Sequence, residues 1–280
     1  MSGFSWSDPN FRQRVITALV LAPLAIFAVL TLPTLWMALL FGVLLLAGAW
    51  EWTRLIGFRR RRLRTIVVAL NAALMLTLYL LFEPGQWPWP IWLGAAWWIL
   101  ALFWLRAFSF AATPSTTHLE IKVLAGSLAI VPAWWAGLWL HELDRYGLWF
   151  LFVVLLVWVA DIGAYFVGKR FGSHKLAPRI SPGKTREGVY GAMAGGLLFG
   201  FAVAPLLGAA RPDWLAFAFL LMVTVIFSVV GDLFESLIKR HSNIKDSGTL
   251  FPGHGGVLDR VDSLLAALPV FATGLMIVGL

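Results

Sequence analysis

Long apolar runs recur along almost the whole chain, and each is close to the roughly 20 residues that a helix needs to cross a bilayer. Nine can be marked off: Val15–Leu32, Thr34–Trp50, Thr65–Phe82, Ile91–Phe110, Val123–Leu140, Leu148–Val167, Val189–Ala210, Trp214–Ile238 and Ser263–Leu280. They predict an all-α, polytopic integral membrane protein of about nine transmembrane helices, a single membrane domain over residues 1–280. The second run is short, so eight or ten spans stay open. Composition agrees, since 60% of the residues are hydrophobic and only 13% charged, against about a quarter charged in a soluble domain. There is no cysteine, so a disulfide framework or a zinc–thiolate site is excluded and any metal must be held by oxygen or imidazole. The first run lacks a small-residue cleavage site and the second follows at once. It is expected to be a spanning helix rather than a removed signal.

Charge sets the expected orientation. With the N-terminus in the cytoplasm and the spans alternating, every one of the 22 Lys and Arg residues except Arg145 and Arg211 falls on the inner side. Such a positive-inside bias supports both the orientation and the helix count, because a missing span would scatter the later charges over both faces. The outer turns, such as Glu83–Pro90 with Trp87 and Trp89, have the composition of interfacial anchors. The run Arg59–Arg62 is a topology signal or a patch for anionic headgroups. The inner segments Gly168–Gly188 and Lys239–Asp262 differ from it, because they mix bases with Gly, Pro and, in the second, acids.

Asp161, Asp232 and Glu235 stand inside apolar runs, where a charge costs a few kcal/mol and usually marks a polar cavity. At 1.5 Å per residue, Asp232 lies about 27 Å along its helix from Trp214 and Asp161 about 20 Å from Leu148. Both are thereby placed toward the inner side. Asp232, Glu235, Ser236 and Lys239 share one helical face by spacing, and Asp259 and Asp262 form an i, i+3 pair if the ninth helix starts early. Glu235 is expected to be an ion-pair partner of Lys239 or Arg240. Carboxylates converging at Asp232, Asp259 and Asp262 would repel one another without a cation. Mg²⁺ prefers oxygen ligands and binds one or two carboxylates together with substrate phosphates. Acids and bases together point to phosphoryl or nucleotidyl transfer.

The stretch from Ser236 to Asp262, SLIKRHSNIKDSGTLFPGHGGVLDRVD, resembles the signature of the phosphatidate cytidylyltransferases, also called CDP-diacylglycerol synthases. Two further stretches are similar to family motifs: Asp161–Gly172, DIGAYFVGKRFG, and Ile180–Gly188, ISPGKTREG. The resemblance covers mainly residues 160–262. It implies the joining of CTP to phosphatidic acid with release of pyrophosphate, the catalytic site within residues 146–280, and a lipid-embedding and packing role for residues 1–145. A homodimer is also implied, and Gly191-Ala-Met-Ala-Gly195-Gly196 offers a small-residue face on which helices could pack between chains or within one. The expected location is a bacterial cytoplasmic (inner) membrane with the site facing the cytoplasm.

On this reading Mg²⁺ is held by Asp232, Asp259 and Asp262, with Asp161 as a further candidate ligand and room for a second cation. Lys239, Arg240, Lys245 and Arg260 would offset charge on the lipid phosphate and the pyrophosphate, with Asp259 and Asp246 among the catalytic groups. Asp246 would orient a base or a metal-bound water, with a plain ion pair to Lys245 the alternative. Gly248, Gly253, Gly255 and Gly256 would let backbone N–H groups approach phosphate, or simply form a turn. Pro182-Gly183 signals a turn that projects Lys184 and Arg186 toward the triphosphate. His254 would bond phosphate, carry a proton or serve structure, and His118, His141, His174 and His241 have no ligand-like spacing. Membrane lipids, CTP and phosphatidic acid are the expected partners, and nucleic acid is not. Two other functions would draw on similar features. A CTP-dependent kinase of a polyprenol-like lipid would need a similar triphosphate site but not this signature. A transporter would need midplane sites and internal repeats, and the two halves show no repeat.

Overall fold

The computed structural model describes residues 9–112, 118–207, 213–244, 246–248 and 255–279, with side chains from residue 19 onward. Among them are nine α-helices: α1 (Pro9–Thr31), α2 (Thr34–Leu55), α3 (Arg61–Leu81), α4 (Trp89–Arg106), α5 (Leu119–Glu142), α6 (Leu148–Phe171), α7 (Arg186–Val203), α8 (Trp214–His241) and α9 (Leu258–Val278). Seven of the described helices, α2, α3 and α5 to α9, are long and apolar enough to cross a membrane. The chain is an all-α, polytopic integral membrane protein. Helix α4 is rich in Trp89, Trp92, Trp97, Trp98 and Trp104, whose indole N–H gives an otherwise apolar ring a polar handle.

Several helix ends depart from the apolar runs, with consequences for the site. Helix α2 continues past Trp50 to Leu55 and so takes Glu51 into the helix. Helix α5 begins at Leu119, which draws Lys122 inside, 4% exposed. Helix α9 starts at Leu258, early enough for Asp259 and Asp262 both to be helical.

Helix α9 is the hub, packed against α2, α4, α5, α6 and α8, and its residues Ala266, Ala267, Leu268 and Phe271 are fully buried. Beside it, Phe234 of α8 lies among Trp52, Trp97, Trp98 and Trp104 at ring separations of 5.5 to 6.0 Å. Three of the buried indoles bond to backbone of other helices: Trp98 Nε1 donates to Leu265 O at 2.9 Å, Trp134 to Ala38 O at 3.0 Å and Trp52 to Lys122 O at 2.9 Å. Interhelical bonds of this kind hold helices together where lipid removes the hydrophobic drive. The outer surface is apolar, with Leu215 81%, Ile277 78% and Leu198 74% exposed, as a lipid-facing surface requires. Helices α6 and α7 cross so closely that a Cβ on Gly163 would lie 2.6 Å from Gly191 O. The small-residue face of α7 is thus spent inside the chain, with Gly196 against Val225 and Leu156. A dimer would need another surface.

The bundle has two unlike ends. One gathers the C-terminal turns of α2, α4 and α8 with the first turns of α3, α5 and α9: Arg64 Nη2 donates to Trp50 O, Ser242 Oγ to Leu55 O, and His241 Nε2 lies 2.7 Å from Phe108 O. The other joins the end of α1, the start of α2, the α3–α4 turn and the end of α5. There His141 bridges Thr34 Oγ1 and Val29 O, and Trp135 Nε1 donates to Trp87 O at 2.9 Å.

The connection between α6 and α7 holds the only strands among the described residues, an antiparallel hairpin of β1 (Lys175–Ala177) and β2 (Ser181–Thr185). Lys175 pairs with Thr185 and Ala177 with Ser181. The turn expected at Pro182-Gly183 therefore falls earlier, at residues 178–180, and Pro182 and Gly183 lie in β2. Proline is tolerated there because a two-stranded ribbon has free edges. Thr185 ends the strand and caps α7, its Oγ1 accepting from Gly188 N at 3.1 Å.

Candidate active site

The charged end concentrates the ionisable groups in and around α8 and α9. On α8 the spaced face forms as expected: Ser236 Oγ donates to Asp232 Oδ1 at 3.2 Å, and Lys239 Nζ lies 2.5 Å from Glu235 Oε2. Glu235 is thus the ion-pair partner expected of it. The Lys239 ammonium also reaches across to α9, 2.8 Å from Asp259 Oδ1. It is only 14% exposed, and its two carboxylates are 3% and 8% exposed. At this depth a lone charge would be costly, and removing one partner of a buried pair typically costs about 3–5 kcal/mol. Lys239 therefore fixes α8 against α9.

The hairpin supplies a second cation. Lys184 of β2 places its Nζ 2.7 Å from Asp232 Oδ2, with both side chains partly exposed. Arg240 holds the hairpin in place, its Nε donating to Ile180 O at 3.0 Å. Asp161 on α6 is within electrostatic reach of Asp232, Lys184 and Arg260. Asp262 interacts with both Asp232 and Glu235, and it lines a small cavity with Glu235, Gly231 and Trp98. Gly231 is needed at this crossing, since a Cβ there would strike the backbone carbonyl of Asp262.

Asp259 is engaged on all sides. Its Oδ2 accepts from Gly256 N at 2.8 Å, Ser247 N at 3.0 Å and Ser247 Oγ at 2.9 Å, while Oδ1 faces Lys239. Among the described residues no three His, Asp or Glu side chains form a ready-made metal cluster. The donor chemistry still suits a hard cation. Asp161 and Asp262 each lie within electrostatic reach of Asp232, and Glu235 faces Asp262. One or two carboxylates, completed by substrate phosphates and water, are what Mg²⁺ commonly takes from a protein.

Other expected residues fall outside this knot. Arg186 is exposed at the start of α7, its backbone N donating to His174 O. Asp246 is exposed beside Gly255. Gly255 has φ +83°, a conformation that favours glycine. Lys245, Gly253 and His254 lie outside the described residues. His174 pairs with Glu187 at 2.6 Å, tying the α6–α7 connection together.

Two participants are not visible as such in the sequence. Glu51 of α2, 8% exposed, accepts from Ser247 Oγ at 2.8 Å, Leu258 N at 2.9 Å and Val257 N at 3.1 Å. Ser247, fully buried, stands between Glu51 and Asp259. A Cβ on Gly248 or Gly256 would run into the Glu51 carboxylate, so both glycines serve close packing around it. The only available signal for Glu51 is an acid directly after an apolar run that ends at Trp50, while the helix runs on to Leu55.

Comparison with known proteins gives this geometry a family. The sequence model of the cytidylyltransferase family matches residues 12–278. The phosphatidate cytidylyltransferase of Pseudomonas aeruginosa is 42% identical over 268 residues, 96% of this chain and 98% of that protein. That of Haemophilus influenzae is 36% identical over 283 residues, 93% and 97% of the two chains. The Bacillus subtilis enzyme of the same name is 44% identical over 134 residues, about half of each chain. With a match running through all nine described helices and relatives covered almost end to end, the chain belongs to the cytidylyltransferase family.

Proposed function

We propose that this protein transfers the cytidylyl group of CTP to phosphatidic acid, giving CDP-diacylglycerol and pyrophosphate, as its relatives' names indicate for them. The observation that carries this reading is the pairing of Lys184 with Asp232 and of Lys239 with Asp259 at the charged end of an apolar bundle. An oxygen of the lipid phosphate forms a bond to the α-phosphorus of CTP. The bond from that phosphorus to the bridging oxygen breaks, and pyrophosphate leaves with that oxygen. The attacking oxygen is already ionised near neutral pH, so no strong general base is needed, and catalysis rests on in-line placement and charge neutralisation.

The protein's groups divide that work. Lys184, Arg186 and Arg260 lie at the accessible rim and offset charge on the triphosphate and lipid phosphate. Lys239 is committed to Glu235 and Asp259 and keeps the acids of α8 and α9 in register. Arg240 steadies the hairpin that delivers Lys184. Asp232 and Asp262, with Asp161 beside them, are the carboxylates placed to hold Mg²⁺, which when bound supplies Lewis-acid neutralisation of phosphate charge. Nine spans, an N-terminus in the cytoplasm and a site facing the cytoplasm of a bacterial inner membrane complete the proposal, supported by the one-sided distribution of Lys and Arg.

The test is an assay of purified protein in detergent with phosphatidic acid, a divalent cation and CTP, dCTP or ATP in parallel, with a polyprenol as competing acceptor. CDP-diacylglycerol formed only with the cation is the expected outcome. Turnover that persists without a divalent cation removes the metal assignment. Phosphorylated polyprenol without lipid–nucleotide product overturns the reaction itself.

A further inference from the structure

We propose that Glu51 is a positioning residue for the cytidylyl transfer: its carboxylate clamps Ser247 to the start of α9, at Val257 and Leu258, and so holds Asp259 where it meets Lys239. The inference rests on the reaction proposed above and extends it to the N-terminal half of the chain.

Helix α9 begins without a capping side chain of its own, and the first N–H groups of a helix need partners when buried. Glu51 supplies them from another helix, accepting from Val257 N and Leu258 N with separate oxygens. A carboxylate at this position also complements the positive end of the helix dipole. Its third donor is Ser247 Oγ. That hydroxyl has one proton and two carboxylate acceptors, Glu51 Oε2 at 2.8 Å and Asp259 Oδ2 at 2.9 Å. Ser247 thus couples the clamp to Asp259 directly, and its backbone N–H adds a second tie to the same oxygen. Gly248 and Gly256 lie so near the carboxylate that neither could carry a side chain without displacing it. A buried acid that takes hydrogen bonds from Ser247, Val257 and Leu258 sets how these residues sit against α2. Displacing a catalytic array by about 1 Å can cost on the order of a hundredfold in rate.

The experiment compares wild type with Glu51→Gln, Glu51→Asp and Ser247→Ala, using CTP and phosphatidic acid in detergent. Rates are expressed per folded molecule, with folding followed by thermal melting. In Glu51→Gln an amide N–H₂ faces a backbone donor, so kcat per folded molecule should fall about tenfold or more. Glu51→Asp, which keeps the charge, should recover part of that loss. Ser247→Ala should lower kcat in a protein that still melts cooperatively, and combining it with Glu51→Gln should cost less than the two losses together. A purely structural role would lower the folded fraction and leave kcat per folded molecule unchanged; that outcome overturns the proposal. If Glu51→Gln does not fold, Ser247→Ala decides, and a wild-type kcat there also overturns it. Inactive wild type would instead count against the reaction, whatever the variants do.

Discussion

The two ends of the bundle solve the same problem by different means. At the end where α1 meets α2 and α5 meets α6, polar groups are met by backbone or by a neutral side chain. Asp144 accepts from the N–H groups of Tyr146, Leu148 and Trp149, His141 sits between Thr34 and Val29 O, and Trp135 bonds Trp87 O. The α1–α2, α3–α4 and α5–α6 connections there are short. At the other end charge meets charge, Lys184 with Asp232 and Lys239 with Glu235 and Asp259, while Arg240 and Glu51 reach across to Ile180 O and Leu258 N. Carboxylates crowd that end beyond what closing helix turns requires. Where polar groups exceed the structural need in a costly environment, they are retained for chemistry.

That contrast can be broken most severely at Lys239. Lys239→Met leaves Glu235 and Asp259 buried without their cation, which should cost about 3–5 kcal/mol in stability and reduce turnover roughly a thousandfold. Thermal melting and the lipid–nucleotide assay read the two effects. A variant that melts and turns over like wild type would mean that the α8–α9 ion pair is idle. Asp232→Asn comes next: it keeps shape and the Ser236 contact but removes the charge facing Lys184, and turnover should drop by about a hundredfold with melting little changed. Lys184→Met, at the accessible rim, should cost roughly tenfold, chiefly as a raised KM for CTP if Lys184 offsets triphosphate charge. At the far end, Trp135→Phe removes one hydrogen bond and should lower stability by about 1 kcal/mol with an unchanged rate per folded molecule. A rate loss from Trp135→Phe comparable to that of Lys184→Met would erase the distinction between the ends.

Much of this division was legible in the sequence, for identifiable reasons. Span length and apolarity located the helices because lipid imposes both. The i, i+3, i+4 and i+7 pattern from Asp232 to Lys239 foretold a charged face because helical spacing is local. The ends are less legible, since hydropathy fades where side chains turn amphipathic, and the apolar run of α2 stops at Trp50 while the helix continues to Leu55. Pro182-Gly183 misled because turn propensity is a local preference, while the pairing of Ser181 with Ala177 is set by the whole ribbon. The role of Glu51 could not be read at all, since its donors lie up to 207 positions away along the chain. Gly248 and Gly256 carried the same hidden information: their signature positions suggested phosphate, and what occupies the space beside them is a carboxylate from α2.

The distance between Glu51 and its donors has a consequence for biogenesis. A ribosome working at about 5–20 residues per second leaves α2 in the translocation machinery or the bilayer for roughly 10–40 s before Val257 and Leu258 are made. Throughout that interval Glu51 lacks all three hydrogen-bond donors, so the nascent chain carries a polar defect that only the last described helix can repair. Arrest or truncation before α9 would leave that defect in place, a chemical mark of incompleteness of the kind that membrane quality control can act on.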